Sequence, residues 1–108
     1  MGRNTLGEFE QAVLLEILRL GSNAYGVPIR HGLSKRLGRA VSVGAVYSAL
    51  ERLETKGFVC SWTGGATTER GGRAKRFYRI EAPGHRALDA ARAVTRSLWA
   101  GFPEGAPA

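Results

Sequence analysis

Arginine and lysine are the side chains of this sequence whose number and spacing could do chemistry, and that chemistry is the binding of anions. The chain has 16 of them against 9 aspartates and glutamates, a net charge of +7. The charges are segregated, since four basic residues and no acid lie in 30–39, and eight basic residues but only two acids lie in 70–96. Such a distribution predicts a polyanionic partner, either nucleic acid or an anionic membrane surface. Arginine outnumbers lysine 13 to 3, which fits bidentate binding of phosphate and guanine and equally fits the codon bias of a GC-rich genome.

Other kinds of chemistry lack the residues that they need. The sequence has no paired-carboxylate site, no Ser/His/Asp set and no P-loop glycine pattern, so we expect no enzyme activity and no cofactor. Cys60 is the one cysteine, which excludes a disulfide within the chain, and with His31 and His85 it matches no zinc-ligand spacing. Nothing resembles a signal peptide or a membrane span, and we therefore expect a cytoplasmic protein that does not enter the membrane.

Three helices are predicted from the spacing of apolar residues in the first half of the chain. The pattern is strongest over Leu6–Leu20 and weaker over Val27–Leu37, where Gly32 interrupts it. The segment SNAYG between them reads as a turn. A third helix begins after Ser42, which is a good N-cap, and ends at Gly57.

A β-hairpin and a last helix follow. Two strands, FVCSWT and RAKRFYRI, flank a polar segment that has glycines at both ends, and helical spacing resumes near Pro83. The order α-α-α-β-β-α predicts a mainly α fold with a β-hairpin, the winged helix-turn-helix, in which the second and third helices form a DNA-reading unit. We divide the chain into a flexible N-terminus (1–5), the DNA-binding domain (6–81), a C-terminal helix (82–102) and a disordered tail (103–108).

The third helix has an apolar stripe on one side and small, uncharged residues on the first two turns of the other. The stripe contains Val43, Val46, Tyr47, Leu50 and Leu53, and the small side opens with Gly44, Ala45, Ser48 and Ala49. Small residues allow a helix to approach base edges in the major groove, and the alternative is packing against a neighbouring helix. The predicted DNA contacts of this helix are Ser42, Gly44, Ala45, Tyr47, Ser48 and Arg52. Tyr47 lies either in the core or on a phosphate, and Arg52 either on a phosphate or in solvent.

The hairpin tip together with the residues beside it, 64–76, is the second predicted contact with DNA. Four basic residues lie in this range beside the glycine-bearing tip: Arg70, Arg73, Lys75 and Arg76. A basic tip of this kind either lies on the DNA backbone, enters the minor groove, or stays hydrated as an ordinary basic loop.

The last helix presents an apolar side that no later predicted element covers, and pairing with a twofold-related copy would bury it. We therefore expect residues 82–102 to form a homodimer through Leu88, Ala91, Thr95, Leu98 and Phe102. Such a dimer would present its two third helices to successive major grooves, about 34–36 Å apart.

Several of these segments resemble the PadR family of bacterial transcriptional regulators, in the short subgroup with a single C-terminal dimerisation helix. The resemblance covers about residues 6–88 and rests on AYGVPIRHGL, VSVGAVYSALERLETKGFV and GGRAKRFYRIEAPGHRAL, although Ser48 and Glu81 stand where the family usually has proline and threonine. It implies a homodimer, usually a repressor, that binds a pseudo-palindromic operator in double-stranded DNA and often releases it on binding a small molecule. In some short members a tryptophan near the dimer axis stacks on flat aromatic compounds, which makes Trp99 the candidate residue for an aromatic effector. The alternative is that Trp99 packs in the dimer seam or covers the first helix. The competing hypothesis is a winged-helix module that binds other proteins and uses its charge only for solubility.

Overall fold

The computed structural model describes residues 5–64 and 75–102. Its elements are α1 (Glu8–Leu20), a short 3-10 turn (Gly21–Asn23), α2 (Gly26–Leu37), α3 (Val43–Thr55), β1 (Val59–Gly64), β2 (Lys75–Ile80) and α4 (Ala82–Leu98). The predicted order α-α-α-β-β-α is therefore confirmed, with helix starts within two residues of those expected from the sequence. The last helix ends at Leu98, before residue 102, the expected end of the C-terminal helix. Most of the hairpin tip, almost all of the expected flexible N-terminus and the whole expected tail lie outside the described residues.

The core lies between the first three helices and the inner face of the hairpin. Leu14 of α1, Leu33 of α2 and Leu50 of α3 are almost completely buried, and Tyr78 and Ile80 of β2 close the core from the other side. Burying a leucine completely contributes about 1.5–3 kcal/mol. The helical spacing of these residues in the sequence is thus explained, because each helix turns one apolar stripe toward the same centre.

A side-chain cap marks the start of α3, whereas α4 starts without one. The Oγ of Ser42 accepts a hydrogen bond from the backbone N–H of Ala45 at 3.1 Å, which confirms the predicted N-cap. At the start of α4, the side chain of Glu81 makes no capping hydrogen bond, and Pro83 stands in the first turn instead.

The wing is a two-stranded antiparallel sheet to which a third short piece of chain is added. Val59 lies opposite Ile80 and Trp62 opposite Phe77. The segment SNAYG was predicted as a turn, but its residues Ala24 and Tyr25 also extend this sheet. Tyr25 forms an antiparallel bridge with Phe77, and the N–H of Tyr78 donates to the carbonyl oxygen of Ala24 at 2.9 Å. This pairing satisfies backbone groups at the outer edge of β2 that would otherwise lack partners.

Only the first part of helix α4 packs against the domain, and the rest of the helix extends away from it. Ala87 and Leu88, near its start, pack against the core, whereas Leu98 is 75% exposed at its end. The described part of the molecule is accordingly elongated, with extents of 55 × 30 × 21 Å. None of its helices has the length and apolar character needed to cross a membrane.

Candidate nucleic-acid interface

The first two turns of α3 form a smooth exposed surface. Gly44, Ala45 and Ser48 are exposed, while Val46 and Leu50 on the opposite side are buried in the core. Apart from its chain neighbours and the backbone of its own helix, nothing in the described part of the chain lies within 4 Å of the place where a Cβ on Gly44 would stand. This surface, Ser42–Ser48 without the buried Val46, is called the α3 face below.

Two residues of α3 are placed differently from the sequence-based assignment. Ala49 was assigned to the small outer side and is 0% exposed, and Val43 was assigned to the apolar stripe and is 52% exposed. The reason is the helical period: Ala49 follows Val46 by three residues and precedes Leu53 by four, which puts it on the same side of the helix as these core residues. A small residue there allows close packing in the core instead of a close approach to a ligand.

The capped start of α3 points its polar groups outward. The Oγ of Ser42 accepts from Ala45, and a hydroxyl group that accepts one bond retains a proton that it can donate. The positive end of the helix dipole adds to the attraction of this turn for an anion.

Tyr47 connects α3 with the start of α2. Its hydroxyl group lies so close to Gly26 that a side chain at position 26 would overlap it, and the residue is still 46% exposed. The ring therefore lies neither in the core nor wholly in solvent, and it forms one edge of the α3 face.

Two buried carboxylates of α1 bind the basic residues at the ends of α2 and α3. Glu10 accepts from Nε of Arg52 and Nζ of Lys56, each at 3.1 Å. These three residues are called the Glu10 cluster.

The second carboxylate has a similar arrangement. Glu16 accepts from Nε of Arg36 and from Nε of Arg19, the latter at 3.3 Å. These three residues are called the Glu16 cluster. Each cluster joins two cations to one carboxylate, so each retains one net positive charge.

The charges around Glu10 decide its ionisation. Burial alone would raise the pKa of the Glu10 carboxyl group, but hydrogen bonds from Lys56, from the Gly7 N–H and from Arg52 outweigh burial and hold the pKa below its ordinary value of 4.5. The carboxylate is therefore ionised at neutral pH and orients its cations.

Sequence reasoning missed both clusters, because its argument from charge rested on the runs of basic residues and did not consider partners for the acids of α1. A signal was present: Glu10 precedes Val13 and Leu14 by three and four residues, and Glu16 precedes Leu20 by four, so both acids fall on the apolar side of α1. An acid in such a position requires a cationic partner from another element.

The outer face of the wing is a row of aromatic rings with cations at both ends. Phe77 lies between Tyr25 and Trp62, with ring centroids 5.4 and 6.0 Å apart. Nζ of Lys75 lies 5.1 Å from the Tyr25 ring, and the guanidinium group of Arg79 lies 5.6 Å from that of Trp62. Trp62 therefore packs within the wing.

Only part of the basic tip can be placed. Lys75 is the first residue of β2, at the end of the strands next to the tip, and Arg76 is exposed on β2. Arg70 and Arg73 lie outside the described residues.

The expected dimer residues divide into two groups. Leu88 and Ala91 are half-buried, Leu88 against the domain core, while Thr95 and Leu98 are exposed. Phe102 is also exposed, and it follows the end of α4 instead of lying on it. Grooves of about 270 and 290 Å³ run between α1 and α4, and both are lined by Gln11 and Thr95.

Two further residues, Trp99 and Cys60, can be placed in the structure. Trp99 is 63% exposed at the C-cap of α4. A hydrogen bond with Glu81 and then burial raise the pKa of the Cys60 thiol, so it is not a reactive thiolate at neutral pH. Within the described ranges, no group of three or more His, Cys, Asp or Glu side chains could hold a metal ion.

Comparison with known proteins gives one family and a set of similar folds. The family model described as the transcriptional regulator PadR-like family matches residues 14–90. No curated protein matches the chain. The structure is similar to that of RosR from Halobacterium salinarum, with a TM-score of 0.67 and 23% identity over 92% of this chain and 82% of that one.

Two other solved structures support the same fold. A PadR family transcriptional regulator from Eggerthella lenta has a TM-score of 0.66 and 24% identity over 87% of this chain and 81% of its own. A PadR-like transcription factor from Bacteroides fragilis has a TM-score of 0.63 and 21% identity over 83% of this chain and 82% of its own. The shared architecture is the winged helix-turn-helix.

Proposed function

The chain belongs to the PadR-like family of transcriptional regulators, whose members bind DNA, are typically dimeric and are not enzymes, and from this membership we propose that it is a homodimeric repressor of a pseudo-palindromic operator. The observation that carries the proposal is the α3 face. An exposed helix that is free of bulk at Gly44, Ala45 and Ser48 has the shape that a major groove admits. An ordinary solvated helix face would carry charged side chains along its whole length.

The α3 face supplies the contacts with the bases. Ser42 and Ser48 donate to phosphate oxygens or base edges, while Gly44 and Ala45 allow the helix backbone to lie close to the groove floor. Tyr47, at the edge of this face, donates its hydroxyl proton to a backbone phosphate in this proposal.

The wing supplies sequence-independent contacts. Arg70, Arg73, Lys75 and Arg76 bind the backbone or the adjacent minor groove, where arginine is favoured when the groove is narrow. The aromatic row of Tyr25, Phe77 and Trp62 fixes the wing to the domain and so determines where its tip meets the duplex.

The second half of α4 joins the two subunits. Its exposed Val94 and Leu98 gain from burial, and the grooves between α1 and α4 have room for apolar side chains of a twofold-related copy. The resulting dimer sets two α3 helices about 34–36 Å apart, one helical turn of DNA. Trp99, exposed near this seam, is the residue on which a flat aromatic effector would stack.

Electrophoretic mobility shift with the DNA upstream of the protein's own gene tests the proposal. A repressor forms a complex that excess non-specific DNA does not displace, and its log affinity falls steeply with log salt, as expected for about 6–10 phosphate contacts. A winged-helix module that binds only proteins would show weak binding without sequence preference. That result would overturn the proposed function.

A further inference from the structure

The two guanidinium groups at the ends of the helix-turn-helix unit are held in the same way. Arg52 of α3 and Arg36 of α2 each donate through Nε to a buried carboxylate of α1. Nε lies inside the side chain, and the two terminal amino groups of each guanidinium group lie beyond it. Among residues 5–64 and 75–102, no acceptor is bonded to these terminal groups.

Arg52 lies on the continuation of the α3 face. It follows Ser48 by four residues, about one helical turn along the same side, and its side chain is 54% exposed. A guanidinium group that is bonded at Nε and exposed at its other end has the form of a two-pronged donor for phosphate.

Because Lys56 also binds Glu10, the carboxylate can hold Arg52 without cancelling the positive charge of the arginine. Nζ of Lys56 donates to both carboxylate oxygens, at 3.1 and 3.3 Å, and to the carbonyl oxygen of Thr5 at 3.3 Å. Lys56 is the more buried cation of the Glu10 cluster, with a side chain 22% exposed. The lysine therefore balances the buried carboxylate, and the positive charge of Arg52 remains available to an external anion.

We propose that Glu10 is a positioning residue for DNA binding, which holds Arg52 by its Nε so that the terminal amino groups face a backbone phosphate beside the α3 face. This inference rests on the proposed function, since it assigns a role within DNA binding. Its physical basis is preorganisation, because an arginine that is already ordered loses less freedom on binding. The expected gain is about 2.3- to 10-fold in affinity for each subunit, or about 5- to 100-fold for a dimer.

The sign of the effect separates this role from a simple effect of charge. Glu10→Gln removes a negative charge from the protein, so Coulomb attraction alone would tighten the binding of every DNA sequence. If Glu10 positions Arg52, the same change weakens the operator complex instead. A merely structural role would lower the thermal midpoint and leave the affinity of the folded protein unchanged.

The test is a double-mutant cycle on the operator complex, measured at several salt concentrations with protein shown to be folded by circular dichroism. We expect Glu10→Gln to weaken binding about 5- to 100-fold, and Arg52→Ala to weaken it at least as much while reducing the salt slope by about 2 for the dimer. In the Arg52→Ala background, Glu10→Gln has no further effect, because it acts through that side chain.

A second variant keeps the test decisive if Glu10→Gln folds poorly. Arg52→Lys retains the charge, but a lysine has no Nε to bind Glu10 while its end binds a phosphate. We expect this variant to lose affinity with little change in salt slope. Arg19→Ala is the matched control, because Arg19 also donates its Nε to a buried carboxylate of α1 but lies outside the helix-turn-helix unit. It should change the affinity less than about 3-fold, the range of a distant surface charge.

Three results would overturn the inference. They are unchanged or tighter operator binding by Glu10→Gln, equal losses from Glu10→Gln with and without Arg52, and wild-type affinity of Arg52→Lys. If the wild-type protein binds the operator specifically and one of these is found, only the role of Glu10 fails. If the wild-type protein shows no specific binding, the proposed function fails and the inference fails with it.

Discussion

Oε1 of Glu16 lies directly against the backbone of α2 at Gly32, with no space left for a side chain at that position. In the sequence, Gly32 looks like a weakness in a helix, because glycine is a poor helix former. In the structure, the missing side chain is what allows the Glu16 carboxylate to reach Arg36 while remaining buried. The glycine that weakens the local prediction is thus explained by a contact with another helix.

Gly32→Ala should therefore destabilise the protein. The alanine gains about 1 kcal/mol in helix propensity. Its methyl group, however, pushes the buried Glu16 carboxylate away from Arg36, whose side chain is 49% exposed, and a hydrogen bond to a charged group contributes about 1.5–3 kcal/mol. We expect a net loss of about 0.5–2 kcal/mol in the free energy of unfolding, measured with urea. Gly44→Ala is the matched control, since Gly44 is also helical but the position that a Cβ would take there is open. This substitution should raise the free energy of unfolding by up to about 1 kcal/mol. Equal effects of the two substitutions would show that the Glu16–Gly32 contact is unimportant.

The stability of the protein should depend on pH through Glu10. Because the folded-state pKa of this carboxyl group lies below its ordinary value of 4.5, its contribution is fully present above pH 4.5 and is lost as the pH falls through the folded-state pKa. Glu10→Gln should thus be less stable than the wild type at pH 7, and the difference should shrink below pH 4.5. Urea unfolding at several pH values measures it, and a difference that stays constant down to pH 3 would contradict the assignment.

The same substitution at two alanines of α3 should affect DNA binding at one position and folding at the other. Ala45→Glu places a carboxylate on the α3 face, so we expect operator binding to fall by at least about 100-fold through repulsion of phosphate, with stability changed by less than about 0.5 kcal/mol. Ala49→Glu buries an unpaired charge in the core and should unfold the domain. Mobility shift and thermal unfolding of both variants separate the two outcomes. Normal operator binding by Ala45→Glu would remove the α3 face from the mechanism.

Leu98→Asp should dissociate the dimer without unfolding the subunit, because Leu98 is exposed on the single chain and a charge in an apolar seam lacks a partner. Sedimentation velocity measures the change from dimer to monomer. Val27→Asp, which alters another exposed aliphatic residue on α2, should leave the dimer intact. A dimer that survives Leu98→Asp would place the interface elsewhere.

The combined change Arg73→Ala and Lys75→Ala should weaken binding to all DNA sequences and reduce the salt slope by up to about 4 for the dimer, since wing contacts with phosphate carry no sequence information. The control is Arg92→Ala with Arg96→Ala, which removes the same charge from the exposed part of α4. Fluorescence anisotropy with operator and unrelated DNA gives both slopes. If the wing variant and the α4 variant lose affinity equally, only the total charge of the protein matters.

The sequence predicted the order of elements and most of the core because those features depend on local spacing. The helical repeat of apolar residues in α1 and the N-cap at Ser42 can be found without knowing any partner. For the same reason, the outward position of Gly44, Ala45 and Ser48 was predicted correctly. Ala49 was misplaced, because a small residue is compatible with both a core and a surface, and size alone does not distinguish them.

By itself, then, the sequence determined the winged helix-turn-helix, its family and the net positive charge that points to nucleic acid. Only the tertiary structure decided which cations are tied to the buried Glu10 and Glu16, and that Tyr25 extends the sheet beside Phe77. Except for Arg19, which follows Glu16 by three residues, those contacts join residues 20 to 52 positions apart. Local periodicity contains no information about such pairings, because they follow from how the helices and the wing pack together.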